Sequence, residues 1–185
     1  MRIAWLEIRF LPPFQPKKAC MKHVLALTSF ALCAAIAVAP IAAHAQLPVQ
    51  AAADQAALLA SADPHLAANK KLVYDFWREV FEAGHMDLAD KYMAESYVQH
   101  NPNVPTGRAA FVAFFTQYVK PKAIRPTIQA PVVTMVAEGD KVIISFVRTM
   151  ADPKDAAKKS TTTWFDMFRI ENGRIAEHWD CAPKE

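Results

Sequence analysis

The chain has 185 residues, of which 53% are hydrophobic; 21 lysines and arginines against 18 acidic residues give a formal net charge of +3. The positive charge is concentrated at the N-terminus, because residues 1–45 contain five basic residues and one acidic residue. The remaining residues carry 16 basic and 17 acidic side chains, a net charge of −1. This composition offers no basic surface for nucleic acid and argues against that class of partner.

Residues 1–45 have the pattern of a leader that contains a secretory signal peptide. Met21 and Lys22 precede an apolar run over residues 24–38, and Ala43-His44-Ala45 has the form of a cleavage site. The apolar run is too short to span a membrane as a helix. We therefore expect translation to start at Met21, cleavage to follow Ala45, and the product to be periplasmic or secreted without a stable membrane anchor.

After the leader, the sequence predicts a flexible tether or weak helix over residues 46–62 and one folded domain over residues 63–185. The tether is rich in Ala and Gln, and Leu58 and Leu59 are the residues that we expect it to bury. Cys181 is the one cysteine beyond the leader, so we expect no internal disulfide. The hydrophobic core alone must then stabilise the domain, which is large enough for this.

Three helices are predicted in the first part of the domain. The first begins with Asp63 as its N-cap and Pro64 in its first turn, and it ends at Gly84. Phe76 and Trp77 lie on its apolar stripe, where we expect them to face the core and line a ligand cavity. The other two helices cover residues 87–93 and the stretch from residue 106 to residue 120.

The strands are predicted from alternating polar and apolar residues between turn signals. They cover residues 97–102, 127–137, 141–150 and the two flanks of Asn172-Gly173, whereas the charged stretch 151–159 is predicted to be a solvated loop. Helices followed by strands indicate an α+β fold. A curved sheet around helices is expected to enclose a blind conical cavity.

The hairpin at Asn172-Gly173 has two possible registers. If Asn172-Gly173 is a two-residue turn, Met167 lies opposite His178. If Glu171 joins the loop and Gly173 forms a bulge, Asp166 lies opposite His178 instead, and we favour this register. It gathers an apolar wall with three ionisable groups on one face and leaves Arg169 near Glu177 on the other. The residues of the wall are Trp164, Asp166, Phe168, Ala176, His178 and Asp180.

Two separated motifs resemble a known family. They are YVQHNP at residues 97–102 and WFDMFRIENGRIAEHWD at residues 164–180. With the helix-rich start, they are similar to the SnoaL-like group of the nuclear-transport-factor-2-like superfamily, over roughly residues 69–181. The resemblance implies a cone-shaped, curved, mixed or antiparallel sheet wrapped around N-terminal helices, often in a homodimer formed through the sheet. The superfamily includes polyketide cyclases, isomerases, dehydratases, epoxide hydrolases and proteins that only bind.

The candidate site centres on an imidazole and a carboxylate. Asp166 beside His178 is expected to orient the ring and raise its basicity, which suits removal of a proton next to a carbonyl. Asp180 is a candidate acid, His100 a second polar group entering the cavity, and Asn101 a donor to a developing oxyanion. In the alternative interpretation, Asp166 and His178 have a structural role and only satisfy each other's hydrogen-bonding groups. Trp164 and Phe168 complete the wall, as ligand contacts or as core.

The resemblance implies cofactor-free acid/base chemistry with a pocket histidine and aspartate, and either Asp166 or Asp180 fits the aspartate. We therefore expect an exported lyase, cyclase or isomerase acting on a small apolar carbonyl compound. The alternative is a non-catalytic periplasmic binding protein with the same cavity. A metal site made of His100, His178 and Asp166 is disfavoured, because these residues lack close ligand spacing.

Overall fold

A curved sheet of five strands, in the order β1-β5-β4-β3-β2, forms one layer of the computed structural model, which describes residues 47–184. The strands are β1 (Met93–Gln99), β2 (Val132–Glu138), β3 (Lys141–Asp152), β4 (Asp155–Glu171) and β5 (Arg174–Asp180). Neighbouring strands are antiparallel except β1 and β5, which are parallel. The fold is therefore α+β with a mixed sheet. The predicted leader and its Cys20 and Cys33 lie outside the described residues.

Helices precede the sheet and pack on its inner face. They are α1 (Gln55–Leu58), α2 (Pro64–Phe76), a π-helical continuation (Trp77–Glu82), a 3₁₀ turn (Met86–Leu88), α3 (Ala89–Tyr92) and, between β1 and β2, α4 (Arg108–Thr116). Helix α2 contacts β2 and β3, and α4 contacts β1. In the described part of the chain, no helix combines the length and apolar character needed to cross a membrane.

The predicted start of the first long helix is confirmed. The Asp63 carboxylate accepts a hydrogen bond from the backbone N–H of His65 at 2.8 Å, and Pro64 occupies the first helical position. Both features satisfy or remove donors that a helix leaves unpaired at its start. The helix ends before Gly84, whose φ of +77° is typical of a residue that follows a helix.

The prediction of a flexible tether over residues 46–62 is wrong for its described part. The backbone N–H of Ala52 donates to the carbonyl of Val132 at 2.7 Å, and that of Val49 donates to Thr161 Oγ1 at 2.7 Å. The Gln55 side chain donates to the carbonyl of Ile128 at 2.9 Å. These bonds fix the segment against the sheet, and they are long-range contacts that composition does not indicate.

The predicted loop over residues 151–159 is also wrong. Strands β3 and β4 continue through it and join at a turn formed by Pro153 and Lys154, with Ala151 paired to Lys159. Most side chains of this ribbon are exposed, so its strands carry charged residues without an apolar stripe. A ribbon that is solvated on both faces lacks the alternation by which strands are detected.

Neither predicted register of the last hairpin is correct. Asn172 and Gly173 form a two-residue turn with φ of 51° and 70°, and Glu171 pairs with Arg174. The register then shifts at Ala176, so that Phe168 lies opposite His178. This pairing differs by two residues from the bulged register that we favoured. A shift of two keeps every side chain on its predicted face of the sheet. The prediction is therefore right for the faces and wrong for the residues that lie opposite each other.

The space between the helices and the sheet is filled by aromatic side chains. Phe76 of α2 lies 6.0 Å from Phe168 of β4 and 6.1 Å from Phe111 of α4, measured between ring centroids. Tyr97 of β1 packs on Phe111 at 5.8 Å. All four residues are at most 3% exposed. The core thus occupies the region where the sequence predicted a hollow, and close packing of large rings explains the difference.

Candidate active site

Two buried ionisable side chains meet on the inner face of the sheet. His178 Nε2 lies 3.0 Å from Asp166 Oδ1, and the two residues are 7% and 3% exposed. Asp166 lies directly opposite Asp180 in the strand pairing, so its contact with His178 is a diagonal one. The predicted carboxylate-imidazole pair therefore exists, and its members share one face of the sheet.

Asp166 is held in an environment that disfavours its charge. Burial raises the pKa of Asp166, the hydrogen bond from His178 opposes this rise, and the nearby charge of Asp180 adds to it. Its second oxygen, Oδ2, is buried and has no hydrogen-bond partner among the described residues. A buried carboxylate with one empty oxygen favours the neutral form, or the presence of a positive partner.

Gln99, at the end of β1, determines which nitrogen of His178 carries a hydrogen. The backbone N–H of Asn101 donates to Gln99 Oε1 at 2.9 Å, and Gln99 Nε2 donates to the Tyr97 hydroxyl at 2.9 Å. A backbone N–H can only donate, so the amide atom facing it must be the oxygen. This same oxygen lies 2.8 Å from His178 Nδ1. Nδ1 must therefore be the donor and carry the hydrogen.

The position of that hydrogen defines the state of the pair. Because Nδ1 is protonated, a neutral His178 presents an unprotonated Nε2 to Asp166. An ionised carboxylate at 3.0 Å from a nitrogen lone pair would be repulsive, so one further proton must lie between Nε2 and Oδ1. The pair is then either a carboxylic acid with a neutral imidazole or a carboxylate with an imidazolium. In both states it is a buried acid/base couple with no net charge.

Asp180 lies beside the couple but is already bound by its neighbours. Its Oδ2 accepts a hydrogen bond from Asn101 Nδ2 at 2.7 Å, and its Oδ1 accepts one from the backbone N–H of Ala182 at 2.8 Å. Asn101 thus lies beside Asp180, and its amide donor is directed at that carboxylate and not into a cavity. One oxygen or nitrogen atom each from Asp166, His178 and Asp180 lie within 4.8 Å of one another, so the three ionisable side chains form one cluster.

His100 does not enter the site. Its ring stacks on Trp179 with centroids 4.8 Å apart and planes 5° apart, and its Nε2 lies 2.7 Å from Glu177 Oε1. Trp179 and Glu177 alternate with His178 along β5 and so occupy the opposite face of the sheet. The expectation that His100 enters the cavity is thus corrected, and a metal site of His100 with His178 and Asp166 does not form.

The aromatic residues of the predicted wall separate into different environments. Phe168 packs against the His178 ring at 4.7 Å, and Phe76 packs behind it. Trp77 stacks on Phe146 of β3 at 4.4 Å and belongs to the core. Trp164 is partly exposed and lies under the guanidinium of Arg148 at 4.6 Å.

A cavity of about 300 Å³ lies elsewhere, against α1 and α2, where its lining includes Lys71, Tyr74 and Arg78. Asp166 and His178 do not line it. The couple is packed beneath Phe168, whose ring lies 4.7 Å from that of His178.

Sequence reasoning missed Gln99 and Tyr97. Both precede His100 on the same strand, and strict alternation from an inward Tyr97 places Gln99 inward and His100 outward. This alternation is the feature of the sequence that indicates an inward Gln99.

The family model of the SnoaL-like polyketide cyclases matches residues 71–184. The chain belongs to this family. No curated protein sequence gives a significant match. Among solved structures, a protein from Jannaschia sp. CCS1 described as a SnoaL-like polyketide cyclase is 17% identical, with a TM-score of 0.47, over 66% of this chain and 90% of its own. An epoxide hydrolase of M. tuberculosis is 13% identical, with a TM-score of 0.46, over 63% and 84%. TsrD from Streptomyces laurentii is 21% identical, with a TM-score of 0.40, over 65% and 90%.

Proposed function

We propose that this SnoaL-like protein is an enzyme that performs cofactor-independent acid/base chemistry on a small apolar carbonyl compound, as a lyase, cyclase or isomerase. The observation that carries the proposal is the buried couple of Asp166 and His178, which shares one proton in an apolar surrounding. Buried acid/base couples are typical of sites that move protons near neutral pH.

We propose that Asp166 Oδ2 is the atom that accepts the substrate proton. Both nitrogens of His178 and Oδ1 of Asp166 are engaged, whereas Asp166 Oδ2 makes no hydrogen bond within 3.5 Å among the described residues. The Trp164 side chain is close enough to lower the pKa of Asp166 and is the neighbour that a substrate must displace. In the carboxylate-imidazolium state, Oδ2 takes a proton from the carbon next to the carbonyl. The C–H bond breaks, an O–H bond forms, and the electron pair moves onto the carbonyl oxygen as an enolate. The imidazolium of His178 stabilises the carboxylate before the transfer. The free oxygen of Asp166 supports Asp166 over Asp180 as the reactive aspartate of this proposal.

Substrate access to the couple requires movement of aromatic side chains in the core. Phe168 and Tyr97 are each 2% exposed, so a ligand reaches Oδ2 only if core rings rotate or shift. The same filled interior favours a second candidate function, an interaction module in which the couple is structural and nothing reacts, and it counts against a binding protein that uses this cavity. The two candidates differ in whether the protein exchanges substrate protons.

The experiment is deuterium uptake from D₂O by a panel of small cyclic and aromatic ketones, followed by NMR. We expect the wild-type protein to accelerate exchange at the carbon next to the carbonyl. Asp166→Asn removes the accepting atom and abolishes the acceleration, as does His178→Ala. His178→Gln keeps a donor to Asp166 without its charge and is also inactive. His100→Gln, on the opposite face, is the matched control and retains activity. Equal exchange by wild type and Asp166→Asn across the panel would remove the enzyme proposal.

We also propose that the protein is exported and that it forms a homodimer through the outer face of the sheet. Phe165 and Val136 support the second proposal, because they are 46% and 50% exposed on that face. Export predicts a periplasmic product beginning at Gln46, which mass spectrometry measures. Dimerisation predicts that Phe165→Lys shifts the sedimentation coefficient to that of a monomer.

A further inference from the structure

We infer that Gln99 is a positioning residue that holds His178 in the tautomer with hydrogen on Nδ1 and thereby keeps a second proton on the couple. Its contribution to catalysis rests on the proposed function, but its effect on the ring does not. Gln99 contacts neither reacting atom, since its partners are His178 Nδ1, the Asn101 backbone and the Tyr97 hydroxyl.

The alternative arrangement shows what Gln99 contributes. Without an acceptor at Nδ1, the neutral ring would place its hydrogen on Nε2 and donate it to an ionised Asp166. That couple contains one proton and carries a net charge of −1. With Gln99 Oε1 accepting from Nδ1, the couple contains two protons and is neutral overall. Burying the neutral couple costs less free energy than burying a charged one. By accepting the hydrogen of Nδ1, Gln99 Oε1 stabilises this neutral state, which keeps a transferable proton between His178 Nε2 and Asp166 Oδ1.

The backbone holds Gln99 firmly enough for this role. Gln99 and His178 are register partners in the parallel pair of β1 and β5, and the N–H of His100 donates to the carbonyl of His178 at 3.0 Å. The amide of Gln99 cannot rotate by half a turn, because its NH₂ would then face the N–H of Asn101. At its other end it donates to the Tyr97 hydroxyl, and burial raises the pKa of Tyr97 far above its ordinary value, so this partner stays neutral.

The ionisable groups that surround His178 are few. Asp166 approaches from β4, Asp180 lies two residues along β5, and Tyr97 lies on β1. From the helices, the rings that pack on this region are those of Phe76 and Phe111, which carry no charge. Gln99 is thus the amide that decides how protons are distributed between the ring and the two carboxylates.

The test is a long-range ¹H–¹⁵N NMR spectrum of the full chain labelled at histidine, which separates protonated from unprotonated ring nitrogens. The signals of His178 are assigned by their loss in His178→Gln. We expect Nδ1 of His178 to be protonated in the wild type at neutral pH. Gln99→Met has a similar volume without an acceptor, and there we expect Nδ1 to become unprotonated and Nε2 protonated. Gln99→Glu retains an acceptor and restores the wild-type pattern.

A further variant separates the two ends of the amide. Tyr97→Phe removes only the far partner of the amide and is expected to leave the Nδ1 hydrogen in place. An unprotonated Nδ1 in the wild type, or identical spectra for wild type and Gln99→Met, would overturn the inference.

The outcome is independent of the enzyme proposal. A protonated Nδ1 that depends on Gln99, in a protein that exchanges no ketone protons, supports the positioning role and contradicts the proposed function. Circular dichroism of each variant shows whether the fold is retained. If Gln99→Met does not fold, comparison of Gln99→Glu with wild type and Tyr97→Phe still tests the acceptor. A Gln99→Glu spectrum with Nδ1 unprotonated contradicts the inference.

Discussion

Removing the imidazole of His178 leaves the carboxyl group of Asp166 buried without a partner, and the consequence depends on pH. Burial already raises the pKa of Asp166 in the native protein, whereas the hydrogen bond and charge of His178 oppose the rise. In His178→Ala the opposing influence is gone. The pKa of Asp166 is then raised further above that of the unfolded chain, which is about 4 for an aspartate.

The sign and size of the effect follow from proton linkage. A group with a raised folded-state pKa contributes stability that is complete below its unfolded pKa and is lost as the pH rises through its folded pKa. The loss is at most about 1.4 kcal/mol per pH unit for one proton, so it reaches at most about 4 kcal/mol between about pH 5 and about pH 8. This agrees with the roughly 3–5 kcal/mol typical of breaking a buried pair.

Urea denaturation at several pH values between about 5 and 8 measures how the free energy of unfolding depends on pH. We expect the free energy of unfolding of His178→Ala to fall more steeply with pH than that of wild type. The double variant Asp166→Asn, His178→Ala contains no carboxyl at this position and should lose the additional slope. If the pH dependence of His178→Ala matched that of the double variant, Asp166 would not titrate in a desolvated position, and the description of the couple would be wrong.

Three further stability predictions use matched pairs or single contacts, each measured by chemical denaturation. Phe168→Ala should lower the free energy of unfolding by about 3–5 kcal/mol, because it empties a fully buried ring position. Phe165→Ala on the outer face should lower that of the monomer by under about 1 kcal/mol, and equal losses would contradict the assignment of faces. Gly84→Ala should cost about 2–4 kcal/mol, because φ is +77° and a Cβ would lie 2.8 Å from a backbone carbonyl. Gly173→Ala has similar φ but open space and should cost only about 1 kcal/mol, so an equal loss would refute the steric argument. Asp63→Ala should cost about 1 kcal/mol through loss of the helix cap, and no loss would mean that the cap is unimportant.

The inner face of the last hairpin was predictable because alternation depends on parity alone. Asp166 and Phe168 are two residues apart on β4, as His178 and Asp180 are on β5, so the difference of two between the bulged register and the observed one leaves their common face unchanged. The start of α2 was predictable for a similarly local reason, since Asp63 and Pro64 satisfy or remove unpaired donors without help from the rest of the chain.

The features that the sequence did not reveal depend on long-range contacts. The shift at Ala176 is set by how β5 meets both β4 and β1, and turn residues do not encode it. The docking of the segment around Ala52 needs the carbonyl of Val132, 80 positions away. The filling of the interior depends on ring orientations, which a helical stripe of aromatic residues leaves undetermined. Gln99 acquires its role only from the proximity of β1 to β5.

The most direct test of the account is to locate the hydrogens of the couple by neutron diffraction from a deuterated crystal at neutral pD. We expect one deuterium on His178 Nδ1, directed at Gln99 Oε1, and a second on the line between Nε2 and Asp166 Oδ1. A bare Nδ1, with a single deuterium on Nε2, would show that the couple holds one proton and would contradict the central claim.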